Sequence, residues 1–190
     1  VEDVIIANSH DFLLLFSDSG KVYIKKCYEI PESGRTSKGT AIVNLLQLES
    51  DEKVTATIPI KAFEEDKYLV MMTKNGTIKK TDLMDYSRIR AGGLRAIELV
   101  EDDELSKVQI TDNTKNIIIG TRNGMAIRFN EKDVRPMGRD AAGVRGIMLT
   151  GDDVVIGAEK AEEGTTLLTV TENGFGKRTP LNEYLRTGPD

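Results

Sequence analysis

Short apolar runs recur along this chain, and each is followed by a turn ending in glycine and by a segment that carries lysine or arginine. The turn glycines are Gly20, Gly76, Gly124 and Gly174, so the repeat steps are 56, 48 and 50 residues. The runs are too short for ordinary helices and are largely aliphatic or aromatic, which favours strands buried on both faces. Four interior strands are therefore predicted: Phe12–Phe16, Leu69–Met72, Ile117–Ile119 and Leu167–Val170.

The turns between paired strands carry hairpin signals. An Asn-Gly pair favours a two-residue hairpin, because Asn tolerates and Gly freely adopts the positive φ needed at both central positions. Beyond the first turn the residues alternate, with Val22 and Ile24 on one face and Lys21, Tyr23 and Lys25 on the other. Because successive strand residues point to opposite faces, the second face is predicted to be exposed and basic. The Asn-Gly pairs are Asn75-Gly76, Asn123-Gly124 and Asn173-Gly174.

A second recurrent signal is a glycine followed by an apolar segment, which is predicted to be the fourth strand of each unit. Gly39, Gly93 and Gly143 each have Val or Ile four residues later and Leu six residues later. An acidic turn and the first strand of the next unit follow. Four strands in about 50 residues are typical of a propeller blade. The chain is thus predicted to be one all-β, propeller-like domain of about four blades, with units at about 1–49, 50–101, 102–151 and 152–190.

The last of these units stops before its fourth strand, so the chain is expected to be part of a longer array. No helix of normal length is predicted. The segments LMDYSRI and EKDVRPMG are the two places where a single helical turn is expected.

Composition narrows the classes of function. With 39% apolar residues in 190, the chain can bury a core, and no run approaches the roughly 18 apolar residues of a membrane span. Cys27 is the only cysteine, which fits a reducing compartment, and a cytoplasmic location without cofactor is expected. His10 is the only histidine, and no partner motif for catalysis accompanies it. The paired acids of the turns are expected to be solvated, with a divalent cation as the alternative.

Charge is the clearest functional signal. The windows from each turn glycine to the end of the following loop are 20–39, 76–95, 124–145 and 174–186. They hold 18 of the 26 Lys and Arg residues but only 8 of the 31 Asp and Glu residues. The chain, with a net charge of −5, is therefore acidic on average and basic in one recurring place.

Equivalent positions of successive blades recur around a rim, so these cations are predicted to form a basic belt that suits a curved polyanion. Duplex DNA is favoured over single strands, because few aromatic residues lie among the charges. Glycines beside the arginines are expected to let the backbone approach phosphates. Ordinary solvated strands and turns are the alternative explanation. The predicted DNA-binding residues are Lys25, Lys26, Arg35, Lys38, Lys79, Lys80, Arg88, Arg90, Arg95, Arg128, Arg139, Arg145, Lys177, Arg178 and Arg186.

Several segments resemble the C-terminal domain of bacterial DNA gyrase A. They are GKVYIKKCYEIPE, SKGTAIVNLL, MTKNGTIKKT, MGRDAAGVRGI and TENGFGKRTPLNEY, and the resemblance runs from about Val4 to Tyr184. It implies a β-pinwheel, a propeller-like disc whose blades exchange a strand, that wraps duplex DNA around a basic perimeter and so promotes negative supercoiling. It also implies the rest of gyrase A and gyrase B as partners, with the domain itself monomeric and non-catalytic.

The chain departs from this family at its signature box, Gln-Arg-Arg-Gly-Gly-Lys-Gly, which does not occur here; GRTSKG at Gly34–Gly39 is a degenerate echo of it. The related domain of topoisomerase IV, which bends DNA less and lacks the box, is therefore a rival. A propeller that serves as a protein-interaction scaffold is a second rival, and its binding would be nearly indifferent to salt. An enzymatic role would need a convergent acid, base or metal cluster that the sequence does not indicate.

Overall fold

The protein is described here by a computed structural model in which residues 4–184 are placed. Within that range it has thirteen strands, short 3₁₀ helices and no α-helix, so the all-β prediction is confirmed. The strands are β1 (Phe12–Ser17), β2 (Lys21–Lys26), β3 (Val54–Ile60), β4 (Tyr68–Thr73), β5 (Thr77–Asp82), β6 (Leu94–Arg95), β7 (Leu105–Thr111), β8 (Asn116–Thr121), β9 (Ala126–Asn130), β10 (Val144–Arg145), β11 (Val155–Ala161), β12 (Thr166–Val170) and β13 (Gly176–Pro180).

Among the described residues, five 3₁₀ helices of three or four residues accompany the strands, and four of them directly follow the second strand of a hairpin. Two of these confirm the single turns predicted at LMDYSRI and EKDVRPMG. None of the helices in this part of the chain is long and apolar enough to cross a membrane. The helices are Cys27–Glu29, Ile42–Asn44, Leu83–Tyr86, Glu131–Asp133 and Leu181–Glu183.

The strands of residues 4–184 form four antiparallel sheets, each built on one hairpin. Their orders are β3-β1-β2-β6, β7-β4-β5-β10, β11-β8-β9 and β12-β13. The strands β3, β7 and β11 contact one another in succession, so they form the inner side of the array. The two-residue strands β6 and β10 lie at the opposite, outer edge of their sheets.

Each four-stranded sheet borrows strands from the chain that follows its hairpin. The first hairpin pairs with β3 on its inner side, and on its outer side with β6, which lies beyond the second hairpin. The sheets therefore do not coincide with the predicted units, whose boundaries cut between β1 and β3. The predicted fourth strand shrinks to two residues in β6 and β10, and in the first copy its place is taken by the 3₁₀ helix Ile42–Asn44.

The hairpin turns differ in type from the prediction. The loop between β4 and β5 has three residues, and only Gly76 has a positive φ, at +92°. Asn75 keeps a negative φ, so the turn is closed by the Gly76 amide donating to the Thr73 carbonyl at 3.2 Å. This arrangement matches a three-residue loop with glycine in the left-handed position, rather than the expected two-residue type.

The core lies between neighbouring sheets. In β4, Leu69 and Met71 pack toward the first sheet while Val70 and Met72 pack toward the third, and all four are at most 5% exposed. The prediction that the runs in β1, β4 and β8 are buried on both faces is therefore confirmed. It is wrong for β12, where Leu168 is 65% exposed, because no further sheet packs on that side within residues 4–184.

The predicted alternation in β2 also fails at one position. Tyr23 is 1% exposed although it was placed on the exposed basic face. It packs with Leu15 and Leu46 on the face of the first sheet that is turned away from the second sheet, and its hydroxyl donates to Glu52 Oε2 at 2.8 Å.

Candidate nucleic-acid interface

The basic loops run along the outer edge of the array and join neighbouring sheets there. The loop after the helix Leu83–Tyr86 leaves the second sheet and ends in β6, which pairs with β2 of the first sheet. The loop after the helix Glu131–Asp133 leaves the third sheet and ends in β10, which pairs with β5 of the second. Each of these two basic loops therefore spans the gap between two sheets on the outside of the molecule.

Within residues 4–184, eight of the fifteen predicted binding residues are exposed: six lie on these two loops and on the last hairpin, and Arg35 and Lys38 lie on the loop after the first hairpin. Arg139 is half-buried, and Arg95 lies 3.6 Å from Glu98 in an ion pair at the surface. Arg186 lies outside the described residues. The exposed residues of the predicted set are Arg35, Lys38, Arg88, Arg90, Arg95, Arg145, Lys177 and Arg178.

Two predicted residues on β2 are half-buried and engaged locally. Lys25 forms an ion pair with Glu29 at 3.7 Å. Lys26 donates to the His10 carbonyl at 2.7 Å, and its ammonium lies 3.3 Å from the centroid of the Phe12 ring. Arg135, which the prediction left out, is exposed on the loop that leads to β10. The sequence feature that could have identified Arg135 is its position in the third basic window, residues 124–145.

Three predicted belt residues are buried, and the prediction that they line the exposed rim is wrong. Lys79 is 0% exposed, Lys80 is 1% exposed and Arg128 is 7% exposed. They lie on the second strand of a hairpin. In a sheet with one solvated face, alternate side chains of such a strand would be exposed to solvent. Here the next sheet or a basic loop covers that strand, and main-chain carbonyls accept hydrogen bonds from the buried cationic groups.

Two of these cations reach the 3₁₀ helix of the following sheet. Lys80 donates to the Glu131 carbonyl at 2.7 Å and to Asn113 Oδ1 at 2.9 Å. Arg128 donates to the Leu181 carbonyl at 3.0 Å and lies 3.7 Å from the Glu163 carboxylate. Burial lowers the pKa of Lys80. Both residues are therefore structural contacts between consecutive sheets.

Lys79 instead contacts two basic loops. Its ammonium donates to the Ala96 carbonyl at 2.8 Å and also to the Arg139 carbonyl. The Ala96 carbonyl accepts a second hydrogen bond from the Tyr86 hydroxyl at 2.9 Å. Burial lowers the pKa of Lys79 to about 8.

The loop that carries Arg139 and Arg145 is held to β5 along much of its length. The Met137 amide donates to the Lys80 carbonyl at 2.8 Å, and the Gly146 amide donates to the Gly76 carbonyl at 2.8 Å. Between these points, β10 pairs Val144 with Ile78 and Arg145 with Thr77. The half-buried Arg139 and the exposed Arg145 thus project from a backbone that is hydrogen-bonded to the second sheet.

Gly143 is needed for the fit of this loop against β5. It has a φ of +101°, and a Cβ placed there would lie 2.5 Å from the Ile78 carbonyl oxygen. A side chain would therefore meet the backbone of β5. Packing explains this glycine without the phosphate contact that the sequence led us to expect.

Three acids outside the basic windows, Glu52, Asp103 and Asp153, lie at the hairpin-turn end of the sheets, where their buried carboxylates accept hydrogen bonds from the turns or from residues beside them. Asp103 Oδ1 accepts from the Asn75 amide at 2.9 Å, and Asp153 Oδ1 accepts from the Asn123 amide at 2.9 Å. Both carboxylates are less than a tenth exposed. Their positions follow from the turn geometry, which leaves an amide without a partner in the hairpin itself.

Glu52 plays the same part at the first hairpin. It accepts from the Ser19 hydroxyl at 2.9 Å and from the Tyr23 hydroxyl at 2.8 Å. Burial by itself raises the pKa of Glu52, but hydrogen bonds from Ser17, the Glu49 amide and these two hydroxyls outweigh it and lower the pKa to about 2. Within the described range no group of three or more His, Cys, Asp or Glu side chains has a metal-binding arrangement.

In the described part of the chain, two cations at the turn end are paired with acids, whereas three arginines on the outer loops are not. Lys74 lies 3.6 Å from Glu104, and Arg122 lies 3.0 Å from Asp152. Among residues 4–184 the side chains of Arg88, Arg90 and Arg145 form no ion pair. These three arginines therefore leave unpaired positive charge on the outer edge.

Comparison with known proteins agrees with this architecture. The family model described as DNA gyrase C-terminal domain, beta-propeller, matches residues 11–61, 67–112, 115–162 and 165–190. These segments each begin at a hairpin, and the first three end with β3, β7 and β11. The family therefore divides the chain at the sheets and not at the predicted unit boundaries.

The DNA gyrase A protein of Haloquadratum walsbyi is 45% identical over 190 residues, which cover 97% of this chain and 22% of that protein. The crystal structure of the C-terminal domain of DNA topoisomerase IV has a TM-score of 0.86 at 31% identity, over 95% of this chain and 57% of that one. The structure of a DNA gyrase A C-terminal domain has a TM-score of 0.81 at 29% identity, over 96% and 59%. The resemblance and the pinwheel fold are thereby confirmed, and the chain belongs to the DNA gyrase C-terminal domain family.

Proposed function

We propose that this chain binds duplex DNA along the outer edge of its sheets, without sequence preference, and bends it as a non-catalytic part of DNA gyrase. The observation that carries the proposal is the unpaired arginines on loops that span the gaps between sheets. Loops of this kind offer charge to successive phosphates of one continuous duplex, which has a negative charge about every 1.7 Å of its axis. They do not offer a helix or ribbon shaped for the major groove, where bases are read.

Rigidity of the outer edge supports bending rather than loose binding. Smoothly bending 20–30 base pairs by 40–90° costs on the order of 1–6 kcal/mol, which contacts made from a fixed edge can offset. The loop bearing Arg139 and Arg145 is hydrogen-bonded to β5 before and after these arginines. Bound DNA would therefore follow the curvature of the protein.

The family supports a place in gyrase, with the rest of gyrase A and gyrase B as partners. The chain spans 22% of the length of its gyrase A relative. We infer that cleavage and strand passage belong to the rest of gyrase A. The topoisomerase IV domain is the alternative because its fold matches at a TM-score of 0.86, against 0.81 for the gyrase A domain. The 45% identity with a gyrase A protein across the chain favours gyrase.

Duplex binding is tested by gel-shift titration at several salt concentrations. Each neutralised phosphate contributes about −0.9 to the slope of log affinity against log salt, so binding should weaken steeply as salt rises. The double variant Arg139→Gln, Arg145→Gln should weaken binding and make the slope shallower by up to about 1.8. The matched control, Lys74→Gln with Arg122→Gln, removes the same charge at the turn end and should leave the slope unchanged.

A flat salt response of the wild type would reject duplex binding and favour a protein-interaction scaffold. Equal slopes for the two double variants would reject the outer edge as the site. A ligation assay of DNA topology, performed with the full-length gyrase A protein, separates gyrase-like wrapping from bending: wrapping leaves a change in linking number in the closed circles, and simple bending does not.

A further inference from the structure

Lys79 connects two successive copies of the basic loop. One of its acceptors, the Ala96 carbonyl, directly follows Arg95 at the end of the loop that carries Arg88 and Arg90. The other, the Arg139 carbonyl, lies in the middle of the next loop. A single side chain of 0% exposure therefore holds both loops.

The two loops also touch each other next to this ammonium group. The Glu98 amide donates to the Ala141 carbonyl at 3.3 Å. This is a long hydrogen bond between main-chain groups, whereas the Lys79 contacts involve a charged donor, which makes stronger hydrogen bonds. Lys79 is thus the principal polar link between the loops.

We propose that Lys79 is a positioning residue, whose buried ammonium fixes the spacing of two consecutive basic loops and so aligns their arginines for one duplex without contacting DNA itself. The inference rests on the proposed function. It deepens that function by naming the group that keeps neighbouring loops in register.

The cost of burial supports this role. A buried ammonium loses its hydration and is tolerated only where hydrogen-bond acceptors replace water. The Ala96 and Arg139 carbonyls are those acceptors. The buried ammonium therefore holds the two loops, because its burial leaves it no solvent to bind in their place. The lowered pKa of Lys79, about 8, reflects the same desolvation.

Lys80 is a natural control because it is the next residue, is equally buried and also donates to main-chain oxygen. Its carbonyl acceptor, however, is Glu131 in a 3₁₀ helix and not a residue of a basic loop. Removing either ammonium should cost stability. Only removal of the Lys79 ammonium should change the positions of the arginines on the two basic loops.

The test compares Lys79→Met with Lys80→Met in salt-dependent gel shifts with duplex DNA and in amide hydrogen exchange. Lys79→Met should make the salt slope shallower by about 1, equivalent to one lost phosphate contact, although Lys79 itself contacts none. Amides of residues 138–145 should exchange faster than in the wild type. Lys80→Met should keep the wild-type slope and the wild-type exchange in that segment.

A double-mutant cycle shows whether Lys79 acts through the loop. In the Arg139→Gln, Arg145→Gln background, Lys79→Met should change the slope by less than it does in the wild type, since groups that act together are not additive. If Lys79→Met does not fold, Lys79→Gln, which retains a shorter donor, should give a smaller change of the same kind. Full additivity in the cycle would overturn the inference.

Failure of the inference is distinguishable from failure of the proposed function. A wild type without salt-dependent duplex binding rejects the proposed function. A wild type that binds, together with equal slopes and equal exchange for the Lys79 and Lys80 variants, rejects the positioning role alone.

Discussion

The ammonium nitrogen of Lys80 lies 2.7 Å from the carbonyl oxygen of Glu131, the first residue of the 3₁₀ helix in the following sheet. Arg128 repeats this relationship one sheet later, at 3.0 Å from the Leu181 carbonyl. Each cation stands three residues before the first helical residue of its own sheet. A cation in this register therefore joins one sheet to the next.

Replacing Lys80 with Met should destabilise the fold. The change removes the charged donor of the Glu131 carbonyl, which keeps only the Val134 amide at 3.2 Å. A hydrogen bond that involves a charged group contributes about 1.5–3 kcal/mol. Lys132→Met, at an exposed side chain nearby, should stay within about 0.5 kcal/mol of the wild type. Urea denaturation measures both. Equal free energies of unfolding for the two variants would contradict the contact.

Acid should destabilise the protein through Glu52. The pKa of Glu52 is lowered to about 2 in the folded state from an ordinary value of 4.5. The folded state therefore binds fewer protons between these values, and the stabilisation is complete above 4.5 and is lost as the pH falls toward 2.

Glu52→Gln should lower the free energy of unfolding at pH 7 by about 1–3 kcal/mol, because the hydrogen bonds to the carboxylate are weakened. It should also flatten the decline between pH 4.5 and pH 2, followed by thermal or urea denaturation across that range. Glu101→Gln, at an exposed position, should change stability at pH 7 by less than about 0.5 kcal/mol. If Glu52→Gln left the decline in the free energy of unfolding at acidic pH unchanged, another carboxylate would be responsible for it.

Gly143→Ala should be strongly destabilising. The residue has a φ of +101°, and the added Cβ would lie 2.5 Å from the Ile78 carbonyl oxygen, which is backbone and cannot turn aside. Strain of this kind costs on the order of 1–3 kcal/mol. Gly138→Ala, with nothing within 4 Å of its Cβ, is the control and should be nearly neutral. The melting temperatures of the two variants distinguish them.

Mild alkali should stabilise the wild type through Lys79. Its pKa is lowered to about 8 from 10.5, so between these values the unfolded state binds more protons and stability rises with pH. Lys79→Met should show a smaller rise between about pH 8 and 9.5, measured by urea denaturation, because among the described residues only the lowered pKa of Lys80 then contributes in this direction. The comparison is limited to that range because burial raises the pKa values of Tyr23 and Tyr86, which oppose the effect at higher pH. An equal rise in the free energy of unfolding of the variant would show that a group other than Lys79 is responsible.

Local pattern was sufficient for the strands and their pairing into hairpins. The runs in β1, β4 and β8 are apolar on both faces, so they could only be interior strands, and glycine at positions such as Gly76 marks the turn whatever its type. The recurrence of basic windows was likewise visible, because composition requires no knowledge of contacts. The turn type was not predictable in this way, since Asn75 and Gly76 are compatible with both two-residue and three-residue loops.

Membership of a sheet could not be read from order along the chain. The pairing of β6 with β2 joins segments about 70 residues apart, and a two-residue strand has too little pattern to reveal its partner. The exposure of a strand face also depends on what packs against it. Tyr23 and Lys80 occupy positions that alternate as an exposed face would, and both are buried.

The sequence by itself determined the repeat, the β class and the concentration of positive charge after each turn, because these depend on residue type and spacing alone. Only the tertiary structure decided which cations remain free. Lys79, Lys80 and Arg128 are covered by neighbouring sheets and loops and bonded to carbonyls, whereas Arg88, Arg90 and Arg145 stay on the outer edge. The reason is physical: a charge stays solvated or is neutralised according to its neighbours in space, and those neighbours come from distant parts of the chain.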